Sequence, residues 1–484
     1  MNQIGEVVHE KYMVENLSLL WAKEAAKMPE RFQKKTFIAR TPKEVFDWHM
    51  EDGAFLRLMP PWEDTSLVSC DTPIKNGSRA ILEVGMGPLK LEWVAEHCDV
   101  ESGKGFTDVQ VRGPFKSWKH RHEFIAAEGG CILEDSIEYE LPGGALSEIA
   151  SQAVRRKLEA MFTYRHDITK SDLTRDGENR ENKSMKILIS GSSGLVGSSL
   201  VPYLTTKGHE VVRLKRTPKG ESNEVCWSPG AAELAPEDVE GFDAVIHLAG
   251  ENIASGRWTE EKKKELRDSR IDSTRLLVDT FKKLQNPPSI FICASAIGFY
   301  GDRGDDTLTE ESSAGDNFLA ELCKDWEKEA SRADELGIRR VSLRIGVVMS
   351  PRGGMLAKVL PPFQMGTGGN IGSGKQYMSW IAVDDLVGVI DHALNCQELS
   401  GPVNSVAPQP VTNESFTKSL GKVLGRPTIF PVPGFVAKLA FGEMAEELML
   451  ASARVMPEKL EKTGFKFQYP DIESALRHLL GKSK

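Results

Sequence analysis

Cysteine is scarce in this 484-residue chain, and what there is does not pair. The seven residues Cys70, Cys98, Cys131, Cys226, Cys293, Cys323 and Cys396 are odd in number, scattered, and never spaced as C-x-x-C. A disulfide framework and a zinc ribbon are thereby excluded; buried thiols in a reducing cytoplasm are expected, and no metal site. Long apolar runs are missing too. Nowhere do about 18 apolar residues stand together, so no membrane-crossing helix is expected. The opening stretch MNQIGEVVHEKYMVENLSLLW mixes Glu and Asn into its apolar residues, so no secretory signal is expected either. There is no basic excess. Against 70 Asp and Glu stand 61 Lys and Arg, and the net charge of −9 gives no general pull towards nucleic acid or an anionic membrane.

What is present is an ordinary globular composition, 40% hydrophobic and 27% charged. Single cores stop growing near ~250–300 residues, so two or three domains are expected. The stretch SDLTRDGENRENKS, Ser171 to Ser184, has one Leu, many charges and no apolar face to bury. It reads as a linker. The expected division is an N-terminal segment at 1–30, a domain at 31–170, the linker at 171–184 and a second domain at 185–484. The part from about 405 forms a smaller C-terminal, substrate-side portion.

The first domain reads as α+β. KKTFIAR followed by TPKEVFDWHM predicts a strand and a Thr-capped helix. The segments SRAILEVG, LKLEWVAEHC, GFTDVQVRG, WKHRHEFIAAE and CILEDSIEYEL each alternate apolar with polar residues, as half-buried antiparallel strands do. Leu146, Ile149, Val154, Leu158, Met161 and Phe162 then fall along one helical face. Trp48, Phe55, Trp62, Trp93, Trp118 and Phe124 fit a filled core better than the lining of a cavity. Lys119, His120, Arg121 and His122 alternate along a strand, so two should face solvent, and a solvated face is preferred to a ligand site. This order, with TPKEVFDWHMEDGAFLRLMPPWE, GPFKSWKHRHEF and YRHDITKSDL, resembles the SRPBCC superfamily of helix-grip proteins over roughly Arg31 to Leu173. The resemblance implies a curved sheet gripping a long helix, and an apolar ligand between them.

Directly after the linker, KILIS has strand character and leads into Gly191, Ser192, Ser193, Gly194, Leu195, Val196 and Gly197, then a helix-like SSLVPYLTTKG. Such a loop needs one glycine for the tight turn, one for approach of a pyrophosphate, and one for close packing of helix on strand. The helix N-terminus then offers N–H groups and a positive dipole end to phosphates. The second strand, HEVVRLKRTP, carries Lys215 and Arg216 where an NAD-preferring domain places an acid. NADP(H) is therefore favoured over NAD(H). FDAVIHLAG ends in Leu248, Ala249 and Gly250, small enough for the chain to pass close to a dinucleotide. IFICASAIGFYG forms another buried strand ending at Ser295. Strands alternating with helices specify an α/β Rossmann fold, a doubly wound parallel sheet.

The motifs KILISGSSGLVGSSLV, VIHLAGENIA, GRWTEEKKKELRDSRIDSTRLLV, CASAIGFYGD and FLAELCKDWEKEA together resemble the epimerase-family proteins of the extended or atypical short-chain dehydrogenase/reductase superfamily. The similarity runs from Met185 to the end, with a tail like that family's C-terminal domain of unknown function. In that superfamily a Ser or Thr, a Tyr and a Lys catalyse hydride transfer, the Tyr moving the proton. The resemblance places Ser295 at the Ser position and Lys324 at the Lys of Tyr-x-x-x-Lys. Ala320, not Tyr, stands four residues before it. Tyr300 is the nearest substitute, with structural packing as its equal alternative. Arg344, Arg352, Lys358 and Lys375 lie among glycines, in a stretch suited to a lid or an anion site, or to solvent. His247 reads as packed rather than touching cofactor, and Trp380, Asp384 and Asp385 as anchors of a strand-to-helix junction. The function implied is an NADP(H)-binding oxidoreductase or epimerase acting on an unidentified small molecule. The alternative is a non-catalytic protein that senses cofactor or binds an apolar ligand.

Overall fold

The computed structural model describes residues 29–87, 89–142, 146–175 and 184–482. Most of the N-terminal segment, residues 1–28, and linker residues 176–183 lie outside that set. The chain divides into two compact units, one holding residues to Met50 with Glu63–Leu173, the other Glu51–Trp62 with Thr174 onward.

The first unit is a seven-stranded antiparallel sheet. Its strands are β1 (Glu30–Ile38), β2 (Thr65–Cys70), β3 (Arg79–Met86), β4 (Leu89–Glu101), β5 (Gly105–Arg112), β6 (Ser117–Ala127) and β7 (Gly130–Glu140), in the order β1-β7-β6-β5-β4-β3-β2. Helix α1 (Pro42–Met50) starts at a reciprocal cap, as its sequence predicts. The Thr41 N–H donates to Glu44 Oε2 at 2.7 Å and the Glu44 N–H to Thr41 Oγ1 at 3.3 Å. Helix α2 (Leu146–Thr174) lies on the sheet, with Leu158 and Phe162 packed among Phe32, Trp118, Ile137 and Tyr139. Fully burying a side chain such as Phe162 stabilises by about 1.5–3 kcal/mol. The helix extends through Ser171–Thr174, four residues expected to begin the linker.

One expectation is corrected here. Strand β6 does alternate, with Lys119 exposed and Arg121 half-buried, but His120 and His122 turn inward and are buried. Their environment is a cluster of carboxylates and other imidazoles, not a solvated face. The expected core aromatics Trp48, Trp118 and Phe124 are buried and Trp93 half-buried, whereas Phe55 and Trp62 belong to the second unit.

The second unit is a seven-stranded parallel sheet. Its strands are β8 (Lys186–Ser190), β9 (Glu210–Lys215), β10 (Glu224–Cys226), β11 (Ala244–His247), β12 (Ile290–Ala296), β13 (Arg339–Ile345) and β14 (Gly401–Ser405), in the order β10-β9-β8-β11-β12-β13-β14. Successive residues of each strand serve opposite layers. Ile187 and Ile189 meet α3 (Gly197–Thr206) and α6 (Val383–Asn395) through Leu200, Leu204, Leu386 and Ile390. Leu188, between them, joins the other layer with α4 (Glu260–Phe281) and α5 (Phe318–Ser331), represented by Leu277, Phe281 and Trp326. The Rossmann expectation is met. The chain winds one way from β8 to β10 and the other from β11 to β14, so the switch point lies between β8 and β11, where such sheets bind ligands. A C-terminal portion adds helices Asn413–Leu424 and Ile472–Leu479, packed with Gly354–Gln364 around Trp380.

The expected anchors act as such. Trp380 is fully buried and its indole N–H donates to the Gln409 carbonyl at 3.0 Å. Asp384 pairs with Arg57 at 3.0 Å and His478 at 3.1 Å. Burial alone would raise its carboxyl, but His478 and Arg57 hold it well below the usual range. No helix of the described residues is long and apolar enough to cross a membrane.

Candidate functional site

The loop leaving β8 occupies the switch point. Gly191 has φ +73°, and a Cβ there would stand 2.6 Å from the Leu248 carbonyl carbon. A Cβ on Gly197 would stand 2.3 Å from the Gly191 carbonyl oxygen. Both positions exclude a side chain on backbone atoms that cannot move aside, whereas Gly194 meets only the Gly191 oxygen at 3.3 Å. The first glycine makes the turn against β11, and the last seats the N-terminus of α3 on the loop. That leaves Ser193 and Gly194 exposed at the tip, ahead of the N–H groups of the first helical turn. Ser192 is buried, Leu195 touches Gly353, and Val196 packs against the core.

The strand-end residues are brought to the same place. The Leu248 N–H donates to the Ser190 carbonyl at 3.2 Å and the Ala249 N–H to Ser190 Oγ at 3.3 Å. Gly250 follows, exposed beside the Arg270 guanidinium. His247 is buried and spent on packing. Its Nδ1 lies 2.6 Å from Ser190 Oγ and its Nε2 3.1 Å from Ser273 Oγ, and burial lowers its pKa to about 3. At the end of β9, Lys215 pairs with Glu224 of β10 at 2.5 Å, while Arg216 is exposed. The Lys215 charge therefore already has a partner, which spacing along one strand could not reveal.

The three expected catalytic residues do not converge. Ser295 is buried at the end of β12 and donates to Glu327 Oε1 at 2.7 Å. Glu327 grips Arg344 at both oxygens, with Nε–Oε1 and Nη2–Oε2 each 2.9 Å. Arg344 in turn donates through Nη1 to the Tyr300 hydroxyl at 2.9 Å, which lies 2.6 Å from Asn404 Oδ1 and 3.0 Å from the Thr309 carbonyl. Tyr300 is fully buried, and burial pushes its phenol up to about 12 despite the opposing Arg344 charge. Ser295 and Tyr300 thus share one network through Glu327 and Arg344. Lys324 is exposed on α5, outside it; the neighbour facing the sheet is Cys323, beside Ser295. Glu327 was not singled out by its sequence, although the spacing Cys323 to Glu327, one helical turn, marks the inward face of α5.

The expected anion-binding cations are also dispersed. Arg344 is held by Glu327, Arg352 donates to the Met59 carbonyl at 3.0 Å and Lys358 to the Ala254 carbonyl at 2.9 Å, while Lys375 is exposed.

Residues 187–404 match the NAD dependent epimerase/dehydratase family. An epimerase family protein of Mycobacterium bovis is 43% identical over 290 residues, which are 60% of this chain and 96% of that protein. The chain belongs to the epimerase family. Two further matches flank this region, polyketide cyclase / dehydrase and lipid transport at 38–163 and a domain of unknown function at 432–479. A solved nucleoside-diphosphate sugar epimerase from Corynebacterium glutamicum has TM-score 0.77 and 34% identity, covering 93% of this chain and 90% of that one. The human epimerase family protein SDR39U1, solved with NADPH, has TM-score 0.57 and 33% identity, covering 61% of this chain and 99% of that one. The second unit is accordingly an NAD(P)-binding unit of the atypical short-chain dehydrogenase/reductase kind, and the first is SRPBCC-like.

Proposed function

We propose that this epimerase-family chain binds NADP(H) at the β8–β11 switch point and acts as an oxidoreductase or epimerase on a small molecule. The observation that carries this reading is the cradle at Gly191 and Gly197, where added Cβ atoms would strike backbone. Residues 191–197 hold the pyrophosphate, and Leu248 to Gly250 flank the dinucleotide. The bound dinucleotide supplies a hydride donor or acceptor. Lys215 and Arg216 receive a 2′-phosphate, the first by sharing its charge between that phosphate and Glu224. The human relative solved with NADPH supports the same preference. Ser295, at a strand's C-terminal end, orients a substrate oxygen once its hydroxyl is released from Glu327. Seven free cysteines support a cytoplasmic setting.

A second reading, binding of cofactor without turnover, is favoured by one observation. Tyr300 is locked by Arg344 and Asn404, so no free phenol stands in for the missing tyrosine. NADPH fluorescence titration followed by a turnover screen over carbonyl compounds and sugar nucleotides separates the two. Binding with turnover supports the first reading, binding alone the second, and failure to bind either dinucleotide defeats both. Lys215→Asp with Arg216→Ser should weaken NADPH far more than NADH; equal losses would remove the 2′-phosphate assignment.

A further inference from the structure

Three neighbouring strands of the first unit place their inward side chains together. Asp108 of β5 stands in register with His120 of β6, and Asp135 of β7 in register with His122 of β6. The period of two brings both imidazoles to the same face, and the register brings a carboxylate to each side of them. His120 Nδ1 lies 3.0 Å from Asp108 Oδ2, and His122 Nε2 lies 3.5 Å from the same oxygen. One ligand atom from each of the three residues lies within 4.8 Å of the other two. Around a divalent ion with bonds of 2.0–2.1 Å, tetrahedral ligand atoms stand about 3.3 Å apart. The two measured separations bracket that value.

The opposite nitrogens of the same rings meet a different carboxylate. His120 Nε2 is 3.0 Å and His122 Nδ1 2.7 Å from Asp135 Oδ1. The other Asp135 oxygen is 2.7 Å from Nε2 of His166, whose Nδ1 is 2.8 Å from Thr36 Oγ1. Asp135 therefore faces the side of each ring turned away from Asp108, within hydrogen-bonding distance of His120 Nε2, and leaves His120 Nδ1 and His122 Nε2 facing Asp108. This is how protein metal sites orient their histidines. Carboxylates on both sides of the two rings need a cation between them, a proton or a metal ion. His122 Nδ1 is also buried without a hydrogen bond of proper alignment, as are the indole N–H groups of Trp48, Trp93 and Trp118. A folded interior seldom leaves such groups unmet.

We propose that Asp108 Oδ2, His120 Nδ1 and His122 Nε2 bind a divalent transition-metal ion inside the SRPBCC-like unit. Two imidazoles and one carboxylate suit zinc or ferrous iron and leave coordination positions open to a ligand oxygen. Asp135 is a positioning residue. The inference is independent of the dinucleotide reading and departs from the composition-based expectation that the chain holds no metal.

The test uses the full chain, stripped with chelator and titrated with Zn²⁺ by calorimetry and with Co²⁺ by visible absorption. Expected is one ion per chain, with a Co²⁺ spectrum of low coordination number and no thiolate charge-transfer band. His122→Ala and Asp108→Asn should each weaken binding more than about a hundredfold, and Asp135→Asn by roughly 10–100-fold. NADPH affinity and melting temperature of each apo variant report whether it has folded. The wild-type titration stands even if every variant fails to fold. Absence of stoichiometric binding by wild type overturns the proposal and leaves a proton as the cation held between the imidazoles and the carboxylates. A thiolate band, or unaltered affinity in folded variants, overturns it as well.

Discussion

In the first unit, the half-buried Asp108 and the buried Asp135 face imidazoles from a strand and a helix, and His122 Nδ1 is left without an aligned partner. In the second, the half-buried Glu327 holds the buried Arg344, and each nitrogen of that guanidinium has an acceptor: Glu327 for two, Tyr300 and the Glu310 carbonyl for the third. Both units bury charge, which is costly unless hydrogen-bonded and paired. They differ in closure. The guanidinium is always a cation, so the Arg344 network is complete within the chain. Imidazoles carry charge only when a proton or a metal supplies it, so the first cluster is complete only with something added. A closed network specifies a fold, and an open one marks a place for a ligand.

That contrast can be broken most forcefully at Glu327. Glu327→Ala leaves the Arg344 cation buried and unpaired and should cost about 3–5 kcal/mol in denaturant unfolding of the second unit. An unchanged midpoint would mean that the network contributes nothing to closure. A middling effect is expected at His247, which is held neutral. Its folded pKa is about 3 against 6.5 for a free imidazole, so between those values the unfolded chain takes up a proton that the folded chain refuses. Stability is therefore undiminished above pH 6.5 and falls as pH drops through that window, by about 2 kcal/mol between pH 7 and 5. In His247→Gln this slope should flatten; an identical pH profile would assign the acid sensitivity elsewhere. The smallest effect sharpens the reading of Tyr300. Tyr300→Phe removes one hydroxyl from a network that keeps its ion pair, and should cost about 1 kcal/mol. Should turnover be found, that variant ought to keep its rate, and a large loss of rate with an unchanged midpoint would restore the phenol as acid/base.

The glycine loop was legible because its requirements are local. A turn with positive φ and a helix start near backbone leave little choice of residue, as Gly191 and Gly197 show. The alternating strands and the cap at Thr41 were legible for the same reason. Lys215 was read by its neighbours in sequence, and its pairing with Glu224 stayed hidden because the partner arrives from the adjacent strand. Lys324 was read by its distance from Ala320, whereas the helix turns it to solvent and turns Cys323 inward. His120 and His122 were correctly placed two apart, but alternation says only which residues share a face, not which face is buried or what opposes it.

By itself, then, the sequence determined the two kinds of sheet, the winding of the second and the position of its glycine loop. Each depends on periodicity and backbone conformation within a few residues. Tertiary structure alone decided which polar groups meet. Asp108, His120, His122 and Asp135 come together through strand register, and Ser295, Glu327, Arg344 and Tyr300 through the packing of one helix on two strand ends and the turn that follows the first. A buried charge is tolerable only with a partner at hydrogen-bonding distance, and that distance is set by the fold, across gaps in the chain that no local pattern spans.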